Sequence, residues 1–205
     1  MKDDDLFRGE EFFEFPQNEN GWPAGITVLR RFDPERTFVT SDHHFGSFAL
    51  PGPFRVMSAE EEDECIAKWN AVVGKDDVVF YVGDFHDCGL SELMAYRKRL
   101  NGEIILIKGN HDNLPDNVYE AVFDTCVEEV TLDDFGLILR HSPDPDETER
   151  RQIFGHLHRN GETTPLVSRR SFCSCVTRNG GYPVSLKDVV AAMDESENPE
   201  PNFVG

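Results

Sequence analysis

The sequence predicts an α/β fold whose central strands run parallel. Apolar, β-rich runs at 77–82 and 103–107 alternate with helical patterns at 58–73 and 91–100, and this order is typical of β-α-β units with right-handed crossovers. Five apolar runs along the chain are also followed directly by Asp, Asn or His side chains. Since the carboxyl ends of parallel strands meet at one edge of a sheet, these polar side chains are expected to come together there.

The first strand and the first helix of this core are predicted from local composition. Residues 37–41 are rich in β-branched and aromatic types, which favours a strand. A capping box, S-A-E-E, begins at Ser58 and predicts a helix that continues to about Val73. The side chains expected on its apolar face are Cys65, Ile66, Trp69 and Val73.

The second half of the core repeats this order. Residues 77–82 are apolar almost throughout, which predicts a strand buried on both faces. Ser91 is expected to cap a second helix that ends at Leu100, before Gly102 and the strand at 103–107. The side chains expected to point inward from this helix are Leu93, Met94, Tyr96 and Leu100.

After residue 107 the predicted strands lie closer together in the sequence, which favours a second, more antiparallel sheet. They are expected at about 126–132, 136–140, 152–154, 165–167 and 171–177. Ser185 is expected to begin a last short helix that reaches about Met193.

The predicted domain organisation is an acidic extension at 1–25, one domain at 26–194 and a loose polar tail at 195–205. We favour the interpretation of the extension as a frayed terminus or an additional edge strand, because chain ends are usually poorly ordered or simply packed. The alternative is a docking peptide that presents the aromatic side chains of Phe7, Phe12, Phe13 and Phe15.

The composition excludes several classes of partner. The 205 residues include 39 Asp and Glu against 20 Lys and Arg, so the formal net charge is −19. Such a surface repels nucleic-acid backbones and anionic membranes, and extended nucleic-acid binding is not expected. No apolar run approaches the roughly 18 residues that a membrane span requires. Five cysteines without a signal peptide favour the cytoplasm.

All seven histidines lie inside five short strings that each follow an apolar run. The ligand-type side chains in these strings are Asp42, His43 and His44, then Asp84, His86 and Asp87, then Asn110, His111 and Asp112, then His141, and finally His156 and His158. Taken singly, an Asp after a strand is more often a cap or turn residue, and a lone His is more often structural. Their joint placement favours a metal site. Mixed carboxylate, amide and imidazole ligation suits Mn, Fe, Zn, Ni or Co rather than Ca.

The strings D-x-H, G-D-x-x-D, G-N-H-D, H and G-H-x-H, in this order, resemble those of the calcineurin-like metallophosphoesterases, and in particular the small single-domain members from bacteria and phages. The resemblance covers about residues 37–192. It implies a four-layer α/β/β/α sandwich with two mixed sheets, so that 26–194 would be a metallophosphoesterase domain. It also implies metal-dependent hydrolysis of phosphate esters, in the host cytoplasm if the chain is encoded by a phage.

The resemblance implies two divalent metal ions, with manganese as the first expectation. One ion is expected on Asp42, His44, Asp84 and His158, and the other on Asp84, Asn110, His141 and His156. The ions would be about 3.5–4 Å apart, and a hydroxide that bridges them is the expected nucleophile.

The resemblance also implies catalytic roles for two residues outside the ligand set. His111 is expected to contact a phosphoryl oxygen or to protonate the leaving group, and Asp87 is expected to orient it. Asp112 is expected to hold its loop rather than bind metal, and His43 is expected to pack.

Substrate contacts are less well defined by the sequence. His86 and Arg159 are the candidates for substrate binding. Similar small phosphoesterases often continue the first string as D-x-H-F-G-H, whereas this chain has Ser47 at the last position. The change removes a possible substrate-contacting imidazole.

The expected activity is hydrolysis of phosphate mono- or diesters, with a small diester or nucleotide as the first choice of substrate. A nuclease acting on phage or host nucleic acid is one alternative. A non-catalytic interaction module on the same fold is another, because fold alone does not define function. A third alternative takes D-H-H as the triplet of the DHH phosphoesterases, but this leaves G-N-H-D and G-H-L-H unexplained.

Overall fold

The computed structural model describes residues 26–27, 32–47, 57–158 and 166–199. The predicted extension at 1–25 therefore lies outside the described residues. Within the described ranges the chain forms two five-stranded sheets and four α-helices. None of these helices is both long enough and apolar enough to span a lipid bilayer.

The first sheet carries the predicted parallel core. Its strands are β2 (Thr37–Thr40), β3 (Val78–Val82), β4 (Glu103–Ile107), β5 (Thr125–Val127) and β10 (Val184–Ser185). They are arranged in the order β10-β2-β3-β4-β5. Strands β2 to β5 are parallel, and β10 pairs antiparallel with β2. The carboxyl ends of β2, β3 and β4 therefore share one edge.

The second sheet contains the later strands and one short early strand. Its members are β1 (Ile26–Thr27), β6 (Glu129–Leu132), β7 (Leu137–Arg140), β8 (Arg151–Phe154) and β9 (Ser171–Cys173). Only the pair of β6 and β7 is antiparallel, and the other three pairs are parallel. The predicted α/β class with two mixed sheets is confirmed, although the second sheet contains more parallel pairs than we expected.

Three helices cover one face of the first sheet, and the fourth lies at the interface between the sheets. They are α1 (Ala59–Val72), α2 (Leu90–Arg99), α3 (Asp116–Val122) and α4 (Leu186–Glu195). Successive side chains of β3 point alternately toward the helices and toward the second sheet, as a strand buried on both faces requires. Val79 and Tyr81 pack with the helices, whereas Phe80 and Val82 belong to the apolar cluster between the sheets. Val189 and Met193 of α4 also belong to the cluster between the sheets.

The predicted capping box of α1 is present. The Ser58 hydroxyl accepts a hydrogen bond from the Glu61 N–H at 3.3 Å, and the Glu61 carboxylate accepts from the Ser58 N–H at 2.8 Å. Trp69 of this helix is fully buried, and its indole N–H donates to the Asn101 carbonyl at 3.0 Å. Ser185 caps α4 as expected, by accepting from the Asp188 N–H.

Several local predictions are corrected by the structure. Gly89 rather than Ser91 is the N-cap of α2, and Met94 is 41% exposed instead of pointing inward. The helix α3 was not predicted, because its seven residues provide too short an apolar pattern. The predicted strand 171–177 ends at Cys173 and is followed by a 3-10 turn at Val176–Arg178.

The stretch 126–132 is the most informative of these corrections. It is predicted as one strand, but it contains β5 of the first sheet and β6 of the second sheet, separated by Glu128. The chain therefore passes from one sheet to the other within a single apolar run. Because of this crossing, the ligand-type strings that follow the strands of the second sheet lie against those that follow the strands of the first sheet.

The predicted strand at 165–167 and the predicted tail at 195–205 lie only partly within the described residues. Of the predicted strand 165–167, Val167 forms an isolated bridge with Phe172, while 165 lies outside the described residues. The Arg169 N–H donates to the Asn198 carbonyl at 2.8 Å, and its side chain contacts the Ser196 carbonyl. The first residues of the predicted tail are therefore attached to the domain. All five cysteines are free.

Candidate metal centre

The five predicted strings converge because the strands that precede them end at neighbouring positions. Strands β2 and β3 pair with Thr40 opposite Tyr81, and β3 and β4 pair with Val82 opposite Ile107. In the second sheet, β7 and β8 pair with Arg140 opposite Phe154. The residues that follow these ends are the predicted ligands, in agreement with the expectation for parallel strands.

One group of converging side chains consists of Asp42, His44, Asp84 and His158. The Nε2 atoms of His44 and His158 are 3.1 Å apart, and Nε2 of His158 is 3.1 Å from Oδ1 of Asp42. Nε2 of His44 is 3.5 Å from Oδ2 of Asp84. This is the set that we predicted for the first ion.

A second group consists of Asp84, His141 and His156, and Asn110 lies among them. Nε2 of His141 is 3.2 Å from Oδ2 of Asp84 and 3.0 Å from Oδ1 of Asn110. Nδ1 of His156 is 3.0 Å from the same Asn110 oxygen. These residues are the set predicted for the second ion, and Asp84 belongs to both groups.

The spacing of these donor atoms fits divalent metal binding. Atoms that lie about 2.0–2.2 Å from one ion, at bond angles of about 90–110°, are about 2.8–3.6 Å from each other. The six separations given above lie between 3.0 and 3.5 Å. The atoms involved are imidazole nitrogens, carboxylate oxygens and an amide oxygen, all of which are donor atoms for divalent transition-metal ions.

The charges in the two groups also favour a cation. Burial raises the pKa of Asp42, but the hydrogen bond and charge of His158 outweigh it and lower the pKa below its usual value. Burial likewise raises the pKa of Asp84, and the contact with His141 reverses the shift. Burial lowers the pKa of His141, but Asp84 and Asp42 raise it to about 9. Two buried carboxylates thus remain ionised and require positive charge nearby.

The backbone at this site is strained. Among the described residues, the non-glycine residues with positive φ are Asp42 (62°), His44 (48°), Asp84 (56°) and His156 (67°). Each such residue costs about 1–2 kcal/mol, and such residues concentrate at functional sites. All four are predicted metal ligands. The left-handed backbone turns these side chains away from the strand direction and toward the shared centre.

Backbone hydrogen bonds maintain this conformation. The Asp42 N–H donates to the Gly83 carbonyl at 3.0 Å, and the His44 N–H donates to the Asp84 carbonyl at 3.2 Å. The His156 N–H donates to the Asp42 carboxylate at 2.9 Å, which links the two sheets at the site. The strain is therefore offset by contacts that join different strings.

Glycines that precede two of the ligands allow close approach. A Cβ on Gly83 would collide with Nδ1 of His141 and would lie 2.8 Å from the Gly109 Cα. A Cβ on Gly109 would collide with the side chain and backbone nitrogen of Asp84. The G-D and G-N dipeptides thus follow from the contact between the loops after β3 and β4.

Asp112 holds these two loops together, as predicted. Its Oδ2 accepts from the N–H groups of Asp84 at 2.8 Å and Gly109 at 2.9 Å, and its Oδ1 accepts from Phe85 at 3.0 Å. A carboxylate with three backbone donors has little capacity left for a metal ion.

His111 and Asp87 lie beside the first ligand group. Nδ1 of His111 is 2.7 Å from Oδ1 of Asp87, and Nδ1 of His44 is 3.0 Å from Oδ2 of Asp87. Burial raises the pKa of Asp87, but the contact with His44 and the Ser47 hydroxyl lower it well below its usual value. The His111 side chain is 32% exposed, so one side of the ring faces solvent.

The structure describes only one of the two residues that are predicted to contact the substrate. His86 is 2% exposed, with Nδ1 at 2.9 Å from the Cys88 carbonyl and Nε2 at 3.0 Å from the Tyr119 hydroxyl. The ring is buried, and each ring nitrogen contacts another protein group. The structure therefore does not support a substrate contact of His86. Arg159 lies outside the described residues.

Two supporting residues were missed by the sequence analysis. The Ser41 hydroxyl donates to the Asp42 carboxylate and lies 2.9 Å from the Ser174 hydroxyl. Glu62 of α1 accepts from the Gly46 N–H at 2.8 Å. Ser41 directly precedes the predicted ligand Asp42, and this position is a signal that the sequence contains. Glu62 is indistinguishable in sequence from the other acidic residues of its helix.

His43 packs in the core, as predicted. Its ring stacks on Phe45, and Nδ1 lies 2.7 Å from the Tyr81 hydroxyl, which also accepts from the His43 N–H. Nε2 is buried and is among the side-chain atoms that lack a hydrogen-bond partner in the described part of the chain. Burial lowers the pKa of His43 to about 3. The folded protein thus keeps this ring neutral.

This burial predicts an acid-dependent loss of stability. Above pH 6.5 the ring is neutral in both states, whereas below it the unfolded chain binds a proton that the folded chain does not. The free energy of unfolding should fall by about 2 kcal/mol between pH 7.5 and pH 5 through His43 alone. Asparagine offers an oxygen near the position of Nδ1 but does not titrate. The fall in the free energy of unfolding between pH 7.5 and pH 5 should therefore be smaller in His43→Asn by this amount.

Urea unfolding of the metal-free protein at several pH values would measure the effect. The variant is expected to be less stable at neutral pH, because it loses the ring that stacks on Phe45. The two proteins are therefore compared by how steeply the free energy of unfolding changes with pH. Parallel pH profiles for the two proteins would contradict the prediction.

A model of the calcineurin-like phosphoesterase family matches residues 35–163, a range that contains all seven predicted ligands. The chain is 29% identical over 178 residues to an uncharacterized protein of Methanocaldococcus jannaschii, MJ1445, and the match covers 79% of this chain and 93% of that protein.

A solved structure shares the fold. The crystal structure of AQ665 from Aquifex aeolicus, described as a protein of unknown function, superimposes with a TM-score of 0.54 and 20% sequence identity. The match covers 75% of this chain and 96% of the other. At this identity the similarity concerns the fold alone.

Proposed function

The chain belongs to the calcineurin-like phosphoesterase family, and we propose on this basis that it hydrolyses phosphate esters with the help of two divalent metal ions. Family membership and the cluster of Asp and His side chains together suggest metal-dependent phosphoester hydrolysis. The observation that carries the two-ion proposal is the position of Asp84, whose carboxylate belongs to both ligand groups.

The proposed ligand sets are those predicted from the sequence. Asp42, His44, Asp84 and His158 would hold one ion, and Asp84, Asn110, His141 and His156 would hold the other. The chemistry supplied by such a pair of ions is activation of water near neutral pH and neutralisation of charge on the phosphoryl oxygens. Manganese remains our first expectation, and iron, zinc, nickel and cobalt accept the same donors.

His111 is proposed to act on the leaving group. With Nδ1 hydrogen-bonded to Asp87, its Nε2 is the ring nitrogen available to a substrate. A proton carried there would be transferred to the leaving oxygen as the phosphorus–oxygen bond breaks. Asp87 would hold the ring and stabilise its charged form.

A small diester or a nucleotide is the proposed substrate. The net charge of −19 disfavours a long polyanion. The guanidinium of Arg140, the residue before His141, is paired with Glu129 and Asp144 at 2.6 and 2.8 Å.

Metal removal provides the test. We expect the manganese-loaded protein to hydrolyse bis(p-nitrophenyl) phosphate, the chelated protein to be inactive, and added manganese to restore turnover. Metal content should be measured in parallel and should approach two ions per chain. Bound metal without turnover of mono- or diesters would contradict the proposal and favour a non-catalytic module. Preferential cleavage of oligonucleotides would instead favour a nuclease.

A further inference from the structure

Ser47 occupies a position between the first string and Asp87. Its hydroxyl donates to Oδ2 of Asp87 at 2.6 Å, and its backbone N–H donates to the His44 carbonyl at 3.2 Å. The preceding turn is held by Glu62, which accepts from the Gly46 N–H. The Asp87 N–H donates to the Phe45 carbonyl at 3.0 Å, so the two loops are also joined through their backbones. The Ser47 hydroxyl is therefore held in place on several sides.

The contacts of Asp87 divide between its two oxygens. Oδ2 faces both the Ser47 hydroxyl and Nδ1 of His44, whereas Oδ1 faces Nδ1 of His111. Because an ionised carboxylate only accepts hydrogen bonds, both rings carry their proton on Nδ1. His44 then directs an unprotonated Nε2 toward the first ligand group, and His111 directs Nε2 toward solvent. Rotation of the Asp87 carboxylate would break the contacts that keep the proton on Nδ1 of each ring.

We propose that Ser47 is a positioning residue for His111, which it holds in one tautomer and orientation by fixing the Asp87 carboxylate. The inference rests on the proposed hydrolysis and adds a residue to it. In the sequence, serine at this position indicated only the loss of an imidazole. In the structure, its hydroxyl is the third hydrogen-bond partner of the carboxylate that connects a ligand to the proposed acid.

The activity test compares two leaving groups in Ser47→Ala. Departure of p-nitrophenolate needs little help from an acid, whereas an alkyl or unsubstituted phenyl leaving group depends on protonation. We expect kcat/KM to fall by about tenfold for the poor leaving group and by less than about threefold for p-nitrophenolate. Ser47→Thr keeps the hydroxyl and should restore most of the loss. Ser91→Ala removes an exposed hydroxyl that contacts Glu92 and serves as the matched control.

An equal loss for both leaving groups would overturn the inference, because it would indicate a general structural effect. No loss for either substrate would also overturn it while leaving the proposed hydrolysis intact. The metal content of each variant should be measured, and it is expected to match that of the unchanged protein.

A second measurement does not require turnover. Long-range ¹H–¹⁵N NMR correlations report which ring nitrogen of each histidine carries a proton. In the unchanged protein we expect His111 to be protonated at Nδ1, and in Ser47→Ala we expect a mixture of tautomers that Ser47→Thr reverses. An unchanged His111 spectrum in Ser47→Ala would overturn the positioning role. If no phosphate ester is hydrolysed, the proposed function fails, and this spectrum alone decides the role of Ser47.

Discussion

Replacement of Asp84 by asparagine is expected to weaken metal binding in both ligand groups and to lower kcat/KM by about 10³-fold or more, or ~4 kcal/mol. The carboxylate faces Nε2 of His44 at 3.5 Å and Nε2 of His141 at 3.2 Å, so it is the one side chain shared by the two groups. An amide has neither the negative charge nor the second oxygen that such a position requires. Each ion would lose an anionic ligand.

The fold should tolerate this change. Asp84 has a φ of 56°, and asparagine is among the residues that enter this left-handed region most readily. The amide oxygen can still accept from the His111 N–H, which now donates to Oδ1 of Asp84 at 2.9 Å. The contact of the Asp84 N–H with Asp112 involves only backbone on its side. We therefore expect a folded protein with impaired metal binding.

Calorimetric titration with manganese and measurement of metal content would separate these effects. Asp76→Asn makes the same change at an exposed position in the turn between α1 and β3, and should keep both metal binding and turnover. Full turnover and two bound ions in Asp84→Asn would show that the assignment of a shared carboxylate is wrong.

Replacement of His111 by alanine is expected to lower the rate by about 10²–10⁴-fold, the range found for acid–base groups. Its imidazole is hydrogen-bonded to Asp87 and packs edge-on against the His44 ring, with the ring centroids 4.7 Å apart, but it belongs to neither of the two ligand groups formed around Asp84. The exposed side of the ring is available to a substrate. Metal content should therefore remain at the level of the unchanged protein.

The two variants are expected to differ in metal content, although both lose activity. Asp84→Asn should lose metal and activity together, whereas His111→Ala should keep the metal and lose activity. Both can be followed by turnover of a diester beside metal analysis of the same samples. Loss of an ion from His111→Ala would instead identify His111 as a ligand.

The convergence of the candidate site was predictable because each predicted ligand lies just after an apolar run. Chain order and strand direction are enough to bring Asp42, Asp84 and Asn110 to one edge of a parallel sheet. The same reasoning applies to His141 and His156 in the second sheet, once β7 and β8 are known to be parallel. Helix α1 was also predicted well, because its capping box is a local interaction between residues three apart.

Predictions failed where short elements depend on distant contacts. Strands β5 and β6 have three and four residues, and nothing in their composition marks the change of sheet between them. Helix α3 is stabilised by packing, with Tyr119 fully buried and bonded to His86. This hydrogen bond also holds the His86 ring in its buried position.

The order and spacing of residues were sufficient to predict the ligand set, the parallel core and the family resemblance, because these follow from strand direction and from the chemistry of carboxylate, amide and imidazole groups. Which oxygen of Asp87 faces which ring, the left-handed backbone at four predicted ligands and the contact of the Ser47 hydroxyl with Asp87 appear only in three dimensions. The reason is physical. These features depend on contacts between loops that are far apart in the chain, and they form only when both sheets have packed together.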